Sequence, residues 1–202
     1  MESSHHANRR IVVAVTGASG AAYARRLVQC LVDADAEVHL VVTPYGQRLF
    51  KEELGINKVC PESILGRTTD RITNHPYQDT GSVLASGSFQ TDAMIVCPCS
   101  SNTLGAIASG LGSNLVTRAA AVTLKERRRL ILALREMPIS SIDLGNALRL
   151  SEAGAIICPM SPGFYFLPKT VDDLIDFVVA RLLDLMAIPH NLSERWTGRT
   201  KR

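Results

Sequence analysis

Four consecutive short polar residues, Ser100 to Thr103, follow a strongly apolar run in the middle of the chain. Any one of them would serve as the N-cap of a helix, but four exceed what one cap requires. Residues 93–97 predict a buried strand, which places the cluster at the carboxyl end of a strand and the start of a helix. Open α/β sheets bind their ligands at such positions, so this cluster is a candidate ligand site.

A glycine turn, Thr16 to Gly20, follows a second apolar run at residues 11–15 and precedes a helical pattern. Backbone N–H groups at the start of a helix attract anions, and glycine lets a ligand approach the backbone. The turn lacks the full G-x-G-x-x-G spacing, and many α/β domains use such a turn only to pack a strand against a helix. Taken alone, it leaves phosphate binding and simple packing equally open.

Two later strand ends carry charged or aromatic residues. Arg135 and Glu136 follow the apolar run at residues 130–134, where an ion pair between the two is the ordinary explanation. Tyr165 lies in a proline-containing turn after the run at residues 155–158, where it would ordinarily complete the core. Polar or aromatic residues at four strand ends indicate one shared ligand site rather than four coincidences.

The hydrophobic pattern predicts the framework that positions these turns. Helical patterns alternate with apolar runs typical of buried strands, at residues 11–15, 37–43, 93–97, 130–134 and 155–158. This alternation predicts a doubly wound α/β domain whose helices cover both faces of a mostly parallel sheet. A final helix is predicted over residues 171–186, with Asp172 and Asp173 in its first turn, where they complement the helix dipole. Residues 55–92 show little periodicity, as is typical of a functional or irregular segment.

The composition is that of one globular domain: 202 residues, 46% hydrophobic and 20% charged, with a mean hydropathy of +0.11. No internal repeat or linker divides the chain, so a single domain is predicted over residues 1–202, with a core at about 10–187 and a tail at 188–202. The net charge of +3 is too small to indicate nucleic-acid binding. No apolar run reaches the roughly eighteen residues of a membrane span, and we expect neither secretion nor membrane insertion.

The cysteines and histidines form no ligand pattern. The five cysteines are odd in number and three lie in apolar segments, which favours reduced thiols in a cytoplasm over disulfides. The Cys97-Pro98-Cys99 spacing fits neither a zinc site nor a redox motif, and the five histidines are scattered. The sequence therefore predicts a cytoplasmic protein without a metal.

Five short motifs together resemble the flavin prenyltransferases. They occur in the family's order over residues 10–196: Thr16-Gly17-Ala18-Ser19-Gly20-Ala21, Cys97-Pro98-Cys99-Ser100, Arg118-Ala119-Ala120 leading to Leu124-Lys125-Glu126-Arg127-Arg128, Arg135-Glu136, and Pro162-Gly163-Phe164-Tyr165. Each motif is weak alone, but five linked motifs are specific. The resemblance implies a flavodoxin-like, three-layer domain that assembles as a homo-oligomer, a dodecamer by resemblance.

The resemblance also implies an activity. A flavin prenyltransferase transfers a dimethylallyl group from dimethylallyl phosphate to N5 and C6 of reduced FMN, and the family needs no metal. The prenylated FMN would then be the cofactor of a partner decarboxylase of the ubiquinone or aromatic-acid type. The sequence leaves open whether the donor is the monophosphate or the diphosphate, and which decarboxylase receives the product.

Individual residues acquire roles from the same resemblance. Those matching FMN-binding positions are Gly17, Ala18, Ser19, Thr43, Ser100, Ser101, Asn102, Thr103 and Arg135. Those matching donor-binding positions are Arg118, Lys125, Tyr165 and Arg181. Those implied in the chemistry are Ser19, Glu53, Ser86, Lys125, Glu136 and Tyr165. The cations would stabilise the departing phosphate in place of a metal, and Glu136 or the phosphate would take the proton lost from flavin C6.

Two other classes of protein remain open. An FMN-dependent cysteine decarboxylase would share the flavin site, but the late turn Pro159-Met160-Ser161 lacks the Asn of that group's Pro-x-Met-Asn motif, and His75 does not align with its catalytic histidine. A non-catalytic flavin carrier would only hold and tune the flavin, which leaves the predicted donor-site cations without a task. Lys125, Arg181 and Glu136 also have ordinary explanations, as a solvated helix end, a surface cation beside an apolar stripe, and the partner of a neighbouring arginine.

Overall fold

The computed structural model describes residues 9–192, and in that range six strands form one sheet. The strands are β1 (Arg10–Val15), β2 (Glu37–Val42), β3 (Ile72–His75), β4 (Ala93–Cys99), β5 (Arg129–Leu134) and β6 (Ile156–Pro159). The helices are α1 (Ala21–Asp33), α2 (Pro44–Leu54), α3 (Pro61–Leu65), α4 (Ser101–Ala108), α5 (Leu115–Lys125), α6 (Ser141–Glu152) and α7 (Val171–Leu185), and a 3₁₀ turn spans Val83–Ala85. The predicted tail beyond residue 192 lies outside the described residues.

The strand order is β3-β2-β1-β4-β5-β6, and every neighbouring pair is parallel. The predicted doubly wound parallel sheet is therefore confirmed. The order reverses between β1 and β4, which are adjacent in the sheet although β2 and β3 come between them in sequence. Ligands of such sheets bind outside the carboxyl ends of the strands at this point of reversal.

Two apolar layers pack against opposite faces of the sheet, because alternate side chains of a strand point to opposite sides. Ile11, Val13 and Val15 of β1 pack in one cluster with residues of α1, α2, α3 and α7. Val12 and Ala14 pack in the other with residues of α4, α5 and α6. The result is the three-layer arrangement that the alternating pattern predicts.

The predicted boundaries differ from the observed ones by one or two residues, except in residues 55–92. The predicted strand at 93–97 continues to Cys99, and the last strand lies one residue later than predicted. The irregular segment contains α3, β3 and the 3₁₀ turn, none of which the pattern identified. β3 is an edge strand of four residues in which only Ile72 is buried, so it lacks the apolar run of a central strand.

No helix in the described range is long and apolar enough to cross a membrane. All five cysteines lie in that range and are free thiols. Residues 9–192 also contain no cluster of His, Cys, Asp and Glu side chains that would hold a metal ion.

Candidate functional site

Thr16 joins the turn after β1 to the turn after β4. Its side chain is 1% exposed, and its hydroxyl donates to the Pro98 carbonyl oxygen at 2.7 Å and accepts from the Ser100 amide at 3.0 Å. The Thr16 amide donates to the same carbonyl at 3.3 Å. One buried side chain thus fixes the spacing of the two turns that flank the point where the strand order reverses.

The turn between β1 and α1 has the shape of a cradle. A Cβ atom on Gly17 would come within 2.6 Å of the Tyr45 Cβ atom, so only glycine fits there. In the described part of the chain, the N–H groups of Gly17, Ala18 and Ser19 have no hydrogen-bond partner. Ala18 is buried and Ser19 is exposed, so the turn offers backbone donors and one hydroxyl to a ligand.

Glu53 binds the backbone amides at the end of this turn. Its carboxylate, at the end of α2, accepts hydrogen bonds from the Gly20 amide at 3.0 Å and the Ala21 amide at 2.8 Å. A negative charge at these amides complements the positive end of the α1 dipole. An anionic ligand therefore meets the amides of residues 17–19, while those of Gly20 and Ala21 are already engaged.

Thr43 and Ser100 cap the two helices that flank this turn. The Thr43 hydroxyl accepts from the Gly46 amide at 3.0 Å at the start of α2. The Ser100 hydroxyl accepts from the Thr103 amide at 3.3 Å and donates to the Thr103 hydroxyl at 3.0 Å at the start of α4. Asn102, which lies between Ser100 and Thr103 in sequence, is exposed at the carboxyl edge of the sheet.

Ser101 is turned toward α6. Its hydroxyl donates to the carboxylate of Asp143, which also accepts from the Ser140 amide at 3.2 Å and the Ser140 hydroxyl at 2.6 Å. These hydrogen bonds hold the pKa of Asp143 below its ordinary value, and the one from Ser101 has the largest effect. Asp143 thereby ties the start of α4 to the start of α6, and the Ser101 hydroxyl is already engaged.

Arg135 stands at the end of β5 beside the same crevice. Its amide donates to the Cys99 carbonyl at 3.1 Å, and its side chain is exposed. Burial raises the pKa of the Tyr23 hydroxyl and the nearby Arg135 guanidinium opposes that rise, so the two side chains lie within electrostatic reach. In the described range Arg135 and Glu136 form no ion pair, and the Glu136 carboxylate instead accepts from the Met137 amide at 3.3 Å.

The end of β6 also reaches this crevice. The Met160 amide donates to the Leu134 carbonyl at 2.9 Å, and the Met160 methyl lies 3.8 Å from where a Gly20 Cβ would be. Cys97 and Cys99 lie beneath the turn after β4, and burial raises the pKa of the Cys99 thiol to about 12. Buried thiols are unreactive, so neither Cys97 nor Cys99 offers a nucleophile to the crevice.

The residues matched to donor binding lie on other elements. Tyr165 is 64% exposed and packs edge-on against Phe177 of α7, with ring centroids 5.7 Å apart. Arg181, also on α7, donates to the Asp184 carboxylate at 2.9 Å. Both side chains lie between the end of β6 and the end of α7.

The remaining predicted residues lie on α5 and beside the 3₁₀ turn. Arg118 is exposed on α5, and the Lys125 ammonium lies 3.8 Å from the Glu126 carboxylate at the end of that helix. Ser86 ends the 3₁₀ turn, and its hydroxyl lies 2.8 Å from that of Ser88. The structure thus joins the flavin-matched turns by direct contacts, and it places the donor-matched cations on the exposed surfaces of α5 and α7.

Sequence reasoning missed Thr16, Tyr23 and Asp143 as parts of this site. Thr16 belongs to the first motif of the resemblance, Thr16 to Ala21, but no role was predicted for its side chain. Asp143 forms an ordinary capping box with Ser140, and that spacing is visible in the sequence. Its contact with Ser101, 42 residues away, is visible only in the folded chain.

The fold and crevice define an α/β protein that binds its ligand at the carboxyl ends of parallel strands. The model of the family described as Flavoprotein matches residues 1–183. Flavin prenyltransferase UbiX of Halalkalibacterium halodurans is 46% identical over 188 residues, which cover 91% of each chain. The chain therefore belongs to the Flavoprotein family, among the flavin prenyltransferases.

Solved structures give the same result. The chain superposes on AnUbiX in complex with FMN and dimethylallyl pyrophosphate with a TM-score of 0.87 and 41% identity, covering 96% of this chain and all of that one. It superposes on a dodecameric FMN-dependent UbiX-like decarboxylase from Escherichia coli with a TM-score of 0.85 and 40% identity, covering 94% and 100%. PPC decarboxylase, at 22% identity and a TM-score of 0.61, shares the fold alone.

Proposed function

We propose that this protein is a flavin prenyltransferase that joins a dimethylallyl group from dimethylallyl phosphate to N5 and C6 of reduced FMN. The observation that carries the proposal is the near full-length similarity to a structure holding FMN and a dimethylallyl donor. The turns around Thr16 fit such a flavin, because three backbone amides that have no partner within residues 9–192, two neutral helix caps and one exposed guanidinium converge there. FMN, in its reduced form, supplies the nucleophilic ring atoms.

The flavin would be held by the turns at the carboxyl edge. The residues we assign to this task are Gly17, Ala18, Ser19, Thr43, Ser100, Asn102, Thr103 and Arg135. Backbone amides and hydroxyls suit the phosphate and ribityl oxygens, and a guanidinium suits a phosphate or an electron-rich carbonyl. For Ser101 we assign its backbone to this turn and its hydroxyl to Asp143.

The prenyl donor would be held by cations and a phenol. Arg118, Lys125 and Arg181 would stabilise the phosphate with their positive charges as its bond to carbon breaks, and Tyr165 would donate a hydrogen bond to it. The aromatic ring of Tyr165 also favours the developing allylic cation. These four side chains are exposed in the single chain, so their assembly around one donor is part of the proposal.

Proton movement would fall to the carboxylate and hydroxyl groups. Glu136, half-buried beside Arg135, or the donor's phosphate would take the proton from flavin C6. Ser19 and Ser86 carry hydroxyls that can both donate and accept. Glu53 shapes the cradle by holding the Gly20 and Ala21 amides.

We also propose a homo-oligomer, a dodecamer like the relative from Escherichia coli. Two exposed apolar surfaces support it. One is formed by Met137, Ile142, Leu144 and Leu148, which are 58–87% exposed, and the other by Phe164, Tyr165, Leu167 and Val171, which are 64–80% exposed. Apolar patches of this kind in a folded protein mark surfaces that another chain covers. The product would pass to a prenylated-FMN-dependent decarboxylase, and the protein would act in the cytoplasm.

The deciding experiment is mass spectrometry of the flavin released after anaerobic incubation with dithionite-reduced FMN and dimethylallyl phosphate. A flavin heavier by one five-carbon unit is expected from the wild type, and from Arg149→Ala, which changes an exposed arginine of α6 outside the proposed site. Dimethylallyl diphosphate is the second donor to compare. Unmodified FMN with both donors, from a folded and FMN-loaded protein, would refute the proposal.

A further inference from the structure

A chain of polar side chains crosses β2 and β3, away from the residues assigned above. His39 Nε2 lies 2.9 Å from the Glu37 carboxylate, and His39 Nδ1 lies 2.8 Å from His75 Nε2. His75 Nδ1 in turn lies 3.0 Å from the Ser82 hydroxyl. His39 and Ser82 are buried and His75 is half-buried, so water competes little for these bonds.

The carboxylate fixes the direction of this chain. Because Glu37 can only accept, His39 Nε2 must carry a hydrogen, and a neutral His39 then accepts at Nδ1 from His75. His75 accepts in turn from the Ser82 hydroxyl. One added proton leaves these hydrogen bonds intact, because the Ser82 oxygen can accept from His75 instead of donating to it. A second proton would place two N–H groups head to head and break the bond between the rings.

Both ends of the segment at residues 82–89 rest on this pair of histidines. Ser82 bonds to His75 and begins the 3₁₀ turn, and the Phe89 ring packs edge-on against the His39 ring with centroids 5.1 Å apart. Ser86 lies between these two contacts. Its amide donates to the Val83 carbonyl at 3.1 Å, so its position depends on the turn that Ser82 begins.

We propose that His39 and His75 are positioning residues for Ser86, and that they hold residues 82–86 in place only while the pair carries at most one proton more than two neutral rings. The inference rests on the proposed function for the role of Ser86. Its structural part, a segment secured by a proton-limited pair of histidines, stands apart from the reaction.

The charged groups around the pair act in opposite directions. Arg10 of β1 pairs with Glu37 at 3.0 Å and lies 4.5 Å over the Phe89 ring, so its positive charge disfavours protonation of His39. Glu37 favours that protonation, and Asp79 in the following loop favours protonation of His75. Burial is the largest effect at both rings, and it lowers the pKa of His39 and of His75 below the ordinary value.

The far end of the segment has a separate anchor. Arg128 donates to the Gly87 carbonyl at 2.6 Å and to the Phe89 carbonyl at 2.7 Å, and Arg10 donates to the Gln90 carbonyl at 3.0 Å. Arginine stays charged throughout the acid range. Double protonation of the histidines should therefore release residues 82–86 and leave residues 87–90 in place.

Amide hydrogen exchange on the flavin-free full chain tests this directly, with protection factors compared between pH 7.5 and pH 5.5. Protection of the Ala85 and Ser86 amides should fall with acidification, by about tenfold per pH unit once release takes up one proton. The Asp92 amide, which donates to the Arg10 carbonyl at 2.9 Å outside this segment, should change much less. Equal protection of Ala85 and Ser86 at the two pH values would overturn the proposal.

Two substitutions separate protonation from simple loss of packing. His75→Gln keeps one donor and one acceptor but cannot titrate, so protection should remain high at both pH values. Ser82→Ala removes both the link between the pair and the turn and the cap on the Leu84 amide, so protection should be low at both pH values. His190→Gln, which removes a half-buried histidine near Asp184, is the matched control and should behave like the wild type. A His75→Gln chain that loses protection as steeply as the wild type would contradict the proposal.

The reaction provides a second readout. In acid, kcat for prenyl transfer should fall more steeply in the wild type than in His75→Gln, which shows only the loss that protonation of the reaction's base causes in both proteins, with KM for FMN little changed in either. If no FMN is prenylated by any form of the protein, the proposed function fails while the exchange result still decides the inference. If prenylation proceeds with the same acid profile in both proteins, the inference fails and the proposed function stands.

Discussion

Replacing Thr16 by Val tests whether the turns after β1 and β4 act as one unit. Valine has nearly the same shape and removes only the hydroxyl. The Pro98 carbonyl keeps the Thr16 amide as a donor, but the Ser100 amide loses its acceptor. A buried N–H without a partner costs about 1–3 kcal/mol. For a chain of this size that corresponds to a fall in Tm of about 2–12 °C.

Part of this cost should appear in FMN binding. Ser100 is the N-cap residue of α4, so losing the hydrogen bond from its amide to Thr16 lets the turn carrying Ser100 to Thr103 move away from the flavin. FMN then has to draw the turn back, and we expect its Kd to rise by roughly five- to tenfold, equivalent to about 1–1.4 kcal/mol. Thr16→Ser keeps the hydroxyl and should bind FMN like the wild type, although the lost methyl costs about 1 kcal/mol of stability.

The assay is fluorescence titration of FMN together with thermal unfolding of the same samples. Thr123→Val is the matched control, because Thr123 is also buried and its hydroxyl donates to a carbonyl of its own helix, Ala119, at 2.8 Å. That carbonyl still receives its helical hydrogen bond, so Thr123→Val should lower Tm less and leave Kd unchanged. An unchanged Kd for Thr16→Val, with the expected fall in Tm, would refute the idea that Thr16 positions the flavin turn.

Three further predictions concern the charged and aromatic residues. Tyr165→Phe and Arg181→Ala should each retain FMN and lose most prenyl transfer, seen as unmodified flavin by mass spectrometry, and normal transfer in both would remove the donor-site assignment. Arg135→Ala should bind FMN more weakly, measured by the same titration, and a wild-type Kd would show that its guanidinium does not touch the flavin. Asp143 contributes stability above its unfolded pKa, near 3.9, and this stability is lost as pH falls through its lower folded pKa. In urea titrations Asp143→Ala should therefore unfold more easily than the wild type at pH 7 and approach the wild type near pH 3. An equal difference in the free energy of unfolding at both pH values would contradict this role of Asp143.

The central strands were predictable because parallel strands buried on both faces need an unbroken apolar run. β1, β2, β4 and β5 each contain one, and each was placed within two residues of its observed bounds. β3 was not predictable on this basis. Its side chains after Ile72 are polar, as is usual at the edge of a sheet, and one of them, His75, forms a hydrogen bond with His39 of the neighbouring strand β2.

The location of the site was also predictable, whereas its internal contacts were not. The carboxyl ends of parallel strands meet at one edge, so polar residues after several strands had to converge. Which atoms are then engaged depends on residues far apart in sequence: Thr16 and Pro98 are 82 positions apart, and Ser101 and Asp143 are 42 apart. No local pattern could have shown that the Ser101 hydroxyl faces α6, or that Glu53 reaches the start of α1.

The charges at the helix starts indicate where an anionic ligand can be accommodated. Of the helices that begin at the ligand-binding edge, α1 has its first amides bonded to the Glu53 carboxylate and α6 has its first turn capped by Asp143. A phosphate placed at either would meet a negative charge, at a cost that grows as water is excluded. α2 is capped by the neutral hydroxyl of Thr43, so its dipole is not offset by a carboxylate. α4 is capped by the Ser100 hydroxyl, but the Asp143 carboxylate lies against its first residue, Ser101. Within the described residues the amides of residues 17–19 have no partner, and α2 follows the strand beside β1, so the flavin phosphate should bind between this turn and the start of α2.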